Sequence, residues 1–145
     1  MNDLHFRRLK VEDAEEITRI YAAITRNPVS ADFQRVVEDH ARREDGACVV
    51  AEMNGQVVGF MISTILTAGF GMATSAWIAT LGVSPDHMGQ GIGAGLAEEI
   101  FAYYRAQGIE NVYTSVRWDS TDMLSFFKTL GFDRSNFINL RKVLK

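Results

Sequence analysis

Cysteine and proline are scarce in this sequence, and long apolar runs are missing. Cys48 is the only cysteine, so no disulfide can form within the chain. Its neighbours Val49, Val50 and Ala51 place it in a β-rich run, where a buried and inert thiol is expected. No apolar stretch approaches the roughly 20 residues that span a bilayer. The opening Met1-Asn2-Asp3-Leu4-His5 lacks the basic and then apolar segments of a secretory signal. A reducing, cytoplasmic setting is therefore expected, with no membrane partner. His5, His40 and His87 are far apart and have no cysteine partners, a pattern that argues against a metal site. An excess of positive charge is also missing. The formal net charge of -3 argues against a nucleic-acid surface.

What is present fits one folded domain over residues 1–145. The 47% apolar and 23% charged content is that of a globular chain rather than a disordered one. No repeat, linker or low-complexity tract interrupts it. Leu4 to Lys10 reads as a short strand. Glu12 to Arg26 carries Ala14, Ile17, Ile20, Tyr21 and Ile24 on one helical face, and Asn27-Pro28 ends it. Ser30 can cap a second helix running to about Arg43, with Phe33, Val36 and Val37 inward. Ala47 to Met53 and Gln56 to Leu66 then form a hairpin around Asn54-Gly55, a dipeptide suited to positive φ. Thr67 to Thr74, with Phe70 and Met72, is a glycine-containing connection that could wall an acceptor site or serve as an ordinary hairpin loop. Ser75 to Val83 reads as a central strand, and Gly91 to Gln107 as a helix with Ile92, Leu96, Ile100 and Tyr103 inward. Asn111 to Arg117 is a strand, Thr121 to Leu130 a helix stopped by Gly131, and Phe137 to Val143 a last strand. The order βααβββαβαβ predicts an α/β (α+β) fold with a mixed central sheet of six to seven strands and helices on both faces.

The segment that points to chemistry is Val83-Ser84-Pro85-Asp86-His87-Met88-Gly89-Gln90-Gly91-Ile92-Gly93-Ala94. It is a strand end, a proline-bearing loop, a glycine-rich turn and the start of an amphipathic helix. Glycines let a backbone approach a ligand closely. The unpaired N–H groups and partial positive charge of a helix start suit a phosphate or diphosphate. The same glycines could instead serve only a tight turn and a close helix–sheet contact. A Walker-type loop is excluded, because no Gly-Lys-Ser/Thr follows. Gly89-x-Gly91-x-x-Ala94 fits the loose dinucleotide fingerprint. That motif, however, wants an acid at the end of the next strand, where Asp119 falls slightly late, and two βαβ units where one is present.

With these residues in view, the chain resembles the GNAT acetyltransferase superfamily. Val83-Ser84-Pro85 followed by Met88-Gly89-Gln90-Gly91-Ile92-Gly93 is similar to that family's strand, Val-x-Pro and glycine-turn signature. Ser120, Met123 and Phe126-Phe127-Lys128-Thr129-Leu130-Gly131-Phe132 are similar to its second element. The resemblance implies acetyl-CoA as cosubstrate and no metal. It implies pantetheine pairing along Leu81, Gly82 and Val83, and a diphosphate on the amides of Met88, Gly89, Gln90, Gly91, Ile92, Gly93 and Ala94. It implies further cofactor contacts from Ser120, Met123 and Phe127. The acceptor would be a primary amine on a small molecule, an amino acid, or a peptide or protein, and the family also admits a homodimer.

Three positions depart from the family pattern. Met88 stands where Arg or Gln is usual, Ser120 replaces Asn, and Phe127 replaces a Tyr that in many relatives protonates the leaving thiolate. A phenyl ring donates no proton, but a thiol of pKa about 8.5 is a fair leaving group without help. Ser75 to Val83 contains no acid, so the candidate general base is Asp119, with Glu52 and Asp122 behind it. Asp119 could equally cap the following helix or face solvent. The missing acid and Phe127 also leave open a second reading, a CoA-binding regulatory or interaction module without turnover.

Overall fold

The structure is a computed structural model and describes residues 3–67, 69 and 71–145. Contacts divide the chain into two compact units, Met1–Ser115 and Val116–Lys145.

In the first unit, strands β1 (Leu4–Arg8), β2 (Cys48–Met53), β3 (Gln56–Leu66), β4 (Ser75–Val83) and β5 (Val112–Thr114) form one sheet in the order β1-β2-β3-β4-β5. The first four pair antiparallel, and β5 joins β4 parallel. The β2–β3 hairpin turns on Asn54 (φ 53°) and Gly55 (φ 83°), as the dipeptide predicts. Helices α1 (Ala14–Thr25) and α2 (Ala31–Arg42) precede β2, and α3 (Ile92–Ala106) links β4 to β5. Ser30 caps α2, its Oγ accepting from the Phe33 N–H at 3.1 Å. The rings of Tyr21 and Phe33 stack at 4.0 Å and tie α1 to α2.

Helices α1 and α2 cover one face of the sheet and α3 the other. Leu9, Ala14, Ile17, Ile20, Val37, Cys48, Val50, Phe60 and Ile62 form a core under α1 and α2. On the other face α3 lies close over Gly59, where a Cβ would come within 3.1 Å of Ile92 and 3.4 Å of Leu96. Tyr104 of α3 is buried. Its hydroxyl accepts from the Ala47 N–H at 3.0 Å and bonds Ser63 Oγ at 2.7 Å. Cys48 is buried as expected, and burial pushes its thiol pKa up. Gly46 sits so close to β3 that a Cβ would lie 2.6 Å from the Ser63 carbonyl oxygen and 2.8 Å from Thr64 Cα. Main-chain atoms cannot swing aside as a side chain can. Gly46→Ala is therefore expected to lose about 1–3 kcal/mol of stability, read as a lower urea midpoint.

Several sequence expectations are corrected. Val36 is exposed, because Phe33 and Val37, four apart, define a narrow inward stripe that leaves Val36 to one side. Tyr104 takes the buried place expected for Tyr103, continuing the four-residue spacing of Ile92, Leu96 and Ile100. β5 is three residues long rather than seven. Among the described residues the sheet has five strands, not six or seven, and residues 137–143 are not assigned as a strand. Strand character needs a neighbouring ladder as well as β-prone residues, and in that stretch Ile138, Leu140 and Val143 are exposed. Phe70 lies outside the described residues, while Met72 is half-buried.

In the second unit, helix α4 (Thr121–Thr129) ends at Leu130, and Gly131 follows with φ 95°. Phe127 meets Phe126 and Phe132 edge-on at 5.3 and 5.0 Å.

Candidate functional site

The site is built on the second half of β4. Up to Ile62 the β3–β4 register is regular, with Gly59 opposite Val83, Phe60 opposite Gly82, Met61 opposite Leu81 and Ile62 opposite Thr80. Ser63 then faces Ile78, so Ala79 is an extra residue, a β-bulge. The bulge reverses which main-chain groups face which side. Below it, the Ala76 N–H donates to the Asn111 carbonyl at 3.0 Å, toward β5. Above it, the Ser84 N–H donates to the Val58 carbonyl at 2.8 Å, toward β3. By the two-residue alternation of a strand, Gly82 also faces β3. Leu81 and Val83 then turn their N–H and C=O groups the opposite way.

That opposite side is where β5 has already ended. Its last pair is Ile78 with Thr114, whose Oγ1 donates to the Ile78 carbonyl at 2.9 Å. β4 runs on five residues past that pair. The result is a strand edge with main-chain donors and acceptors at Leu81 and Val83, suited to pairing with an extended polar chain.

The loop after β4 makes a short 3-10 turn, Pro85–His87, and then the glycine turn. Gly89 (φ 80°) and Gly91 (φ 79°) are both left-handed, and Gly91 is the N-cap of α3. A Cβ at either glycine would meet nothing within 4 Å, so both face open space. The first backbone bond of α3 runs from the Gly95 N–H to the Gly91 carbonyl at 3.0 Å. The amides of Ile92, Gly93 and Ala94 precede that ladder and remain available as donors. Ile92 is buried and anchors the turn, while Met88, Gln90 and Ala94 are exposed. This is a concave run of donors at the positive end of a helix, with room in front of it for a phosphate group.

The ten residues Leu81, Gly82, Val83 and Met88 to Ala94 thus lie in one continuous strand–turn–helix segment. Asp119, Ser120, Met123 and Phe127 belong to the second unit. Ser120 is the N-cap of α4 without a side-chain cap bond, Met123 is half-buried and Phe127 is buried. Asp119 is held in a two-point ion pair. Arg117 Nε donates to its Oδ1 at 3.0 Å and an Arg117 terminal nitrogen to its Oδ2 at 2.9 Å. The Arg117 hydrogen bonds lower its pKa, which makes it a weaker base than a free carboxylate. Glu52 is engaged in the same way, accepting from Arg7 Nε at 2.6 Å with its pKa lowered by that bond. Asp122 is exposed in the first turn of α4.

Two features escape sequence reading. The bulge at Ala79 has no glycine or proline to mark it. His87, in the loop after β4, is half-buried, and its Nδ1 is buried without a hydrogen-bond partner among the described residues. Among the described residues no group of three or more His, Cys, Asp or Glu side chains could hold a metal ion, and no helix is long and apolar enough to cross a membrane.

The model of the acetyltransferase (GNAT) family matches residues 14–132. Among solved structures, the chain is similar to an aminoglycoside N-acetyltransferase in complex with CoA, with TM-score 0.83, 13% identity, and 99% of this chain and 96% of that one covered. It is also similar to an aminoglycoside acetyltransferase from an uncultured soil metagenomic sample in complex with sisomicin, with TM-score 0.80, 20% identity, and 98% and 97% covered. A transcriptional regulator from Bacillus halodurans C-125 matches with TM-score 0.80, 19% identity, and 97% and 99% covered. At these identities the likeness is one of fold.

Proposed function

Because the chain belongs to the GNAT acetyltransferase family, we propose that it is an acetyl-CoA-dependent N-acetyltransferase acting on a primary amine. The observation that carries this reading is the pairing of two features in one segment. A strand edge whose Leu81 and Val83 main-chain groups point away from β3, past the last β5 pair, leads directly to a two-glycine, left-handed turn opening on α3. Acetyl-CoA is an extended amide-bearing chain ending in a diphosphate, and this segment offers complementary groups in that order. Its thioester supplies an activated acetyl group.

In this reading the amides of Gly89 to Ala94 hold the diphosphate, and Leu81 and Val83 pair with the pantetheine amides. The N–H near Val83 polarises the thioester carbonyl. Met88 contributes through its backbone, since its side chain is exposed and uncharged. Holding both reactants in one orientation supplies most of the acceleration. We assign Asp119 to its ion pair with Arg117 rather than to proton removal. Asp119→Asn is accordingly expected to leave the pH profile of turnover unchanged. A lost limb in that profile would return Asp119 to the role of base. CoA-bound and sisomicin-bound relatives make acetyl-CoA and amine-bearing small molecules the first compounds to test. Thiol release from acetyl-CoA across a panel of amines and peptides tests the proposal. Firm CoA binding with no release on any acceptor would favour a non-catalytic module.

A further inference from the structure

The elements around the bulge carry information about the acceptor. Residues opposite one another on adjacent strands share a face of the sheet. Gly82 pairs with Phe60 and Thr80 with Ile62, and both partners belong to the core under α1 and α2. Trp77 pairs with Thr64. By the reversed alternation below the bulge, it points to the same face as Thr80. The glycine turn instead leads into α3, on the opposite face. A cofactor held from the α3 end leaves the α1 side of the bulge, where Ala79 is exposed, as the approach for the second substrate.

The α1 and β4 walls of that approach carry no formal charge, while the Pro85–His87 turn that packs against α1 brings Asp86 and His87 to its edge. The last two turns of α1, Ile20 to Thr25, contain no ionisable group except the Tyr21 phenol, and β4 from Ser75 to Val83 contains none. Ile24 reaches over the strand. A Cβ on Gly82 would lie 2.8 Å from its Cδ1, yet 37% of Ile24 remains exposed. Half-buried Trp77 and Thr80 complete this wall. The first charge beyond α1 is the cation Arg26, exposed at the helix's left-handed C-cap.

Resting on the acetyltransferase reading above, we infer that the acceptor is a monoamine borne on an apolar group, received against Ile24, Trp77 and Thr80. An apolar wall rewards burial of an apolar substituent. The extra ammonium groups of a polycationic amine gain nothing from such a wall and lose hydration against it. The same dry wall disfavours an ammonium ion and so favours entry of the neutral amine. In the transfer, the amine nitrogen bonds to the acetyl carbon and the thioester C–S bond breaks. The nitrogen's surplus proton goes to solvent, and the departing thiolate takes a proton from solvent. Amide and free thiol result.

The test compares leucinamide, glycinamide and a polycationic aminoglycoside as acceptors, following thiol release by the wild-type protein at saturating acetyl-CoA. Leucinamide and glycinamide carry the same amine and differ only in the apolar side chain. The expected kcat/KM is about tenfold or more higher for leucinamide than for glycinamide, as partial burial of such a side chain gives, and lowest for the aminoglycoside. Ile24→Glu, at a partly exposed position, is expected to bring the leucinamide to glycinamide ratio close to one while leaving acetyl-CoA affinity unchanged. Equal rates for the two amides would overturn the inference and leave the acetyltransferase reading standing, as would preference for the aminoglycoside. Acetyl-CoA binding without acetylation of leucinamide would overturn it too. Absence of acetyl-CoA binding by the wild-type protein would instead overturn the reading on which it rests.

Discussion

Replacing Gly91 by valine is expected to weaken acetyl-CoA binding at least a hundredfold, about 2.7 kcal/mol, in a protein that still folds. Gly91 has φ 79°, a left-handed conformation that a β-branched residue adopts only as an outlier. Nothing beyond its chain neighbours lies within 4 Å of where its Cβ would stand, so the side chain starts out into open space. The damage therefore falls on the turn. Either the backbone keeps its conformation and the isopropyl group stands in the open space before the donors, or it relaxes and re-aims them. Each charge-assisted bond from an amide to a phosphate contributes roughly 1.5–3 kcal/mol, so losing one or two accounts for the predicted weakening. Gly108 supplies the control. It too is left-handed (φ 76°) with nothing within 4 Å, but it lies just past the far end of α3. Gly108→Val should show similar strain in a thermal melt and bind acetyl-CoA as the wild type does. Wild-type affinity by calorimetry in a folded Gly91→Val protein would contradict the cradle.

Asp13→Asn is expected to cost about 3 kcal/mol of stability at pH 7. Asp13 is buried just before α1. Its carboxylate accepts two bonds from Arg7, both 2.8 Å, and one from the Lys10 N–H at 2.8 Å. Arg7 also binds Glu52 on β2, so this cluster joins β1, β2 and the entry to α1. An amide in place of the carboxylate leaves a partly buried guanidinium short of charge. Burial opposes ionisation of Asp13, but the Arg7 and Lys10 bonds outweigh it and hold the pKa below the usual carboxylate range. A lowered native pKa means that the native state binds fewer protons than the unfolded chain. Its contribution is complete above the unfolded value of about 3.9. It is lost as pH falls through the lower native value. Urea midpoints of wild type and variant should accordingly differ most at neutral pH and converge in acid. A constant gap at all pH values would mean that the ionised carboxylate is not what holds the cluster.

Much of the cofactor segment was legible because its physics is local. A glycine-rich turn, a proline-bearing loop and an amphipathic helix are properties of neighbouring residues, and the turn at Gly89 and Gly91 and the inward Ile92 stand where the sequence places them. The hairpin at Asn54-Gly55 and the Ser30 cap were readable for the same reason. What could not be read depends on distant partners. The bulge at Ala79 arises from how β4 registers against β3, and it alone decides that Leu81 and Val83 turn toward the open edge. The shortness of β5 likewise depends on its pairing with β4. Tyr104 is buried in preference to Tyr103 because Ser63 and Ala47 wait for its hydroxyl. Asp119 reads as a candidate base until Arg117, two residues earlier, is seen to occupy both its oxygens.

The central claim is that main-chain groups of one strand end and one turn hold acetyl-CoA. An amide-resolved NMR titration of the 15N-labelled protein with acetyl-CoA addresses it most directly. The predicted result is that the largest, saturable shifts fall on the N–H signals of Gly89 to Ala94, with Leu81 and Val83 next. Saturable binding that left those signals in place and moved others would contradict the account.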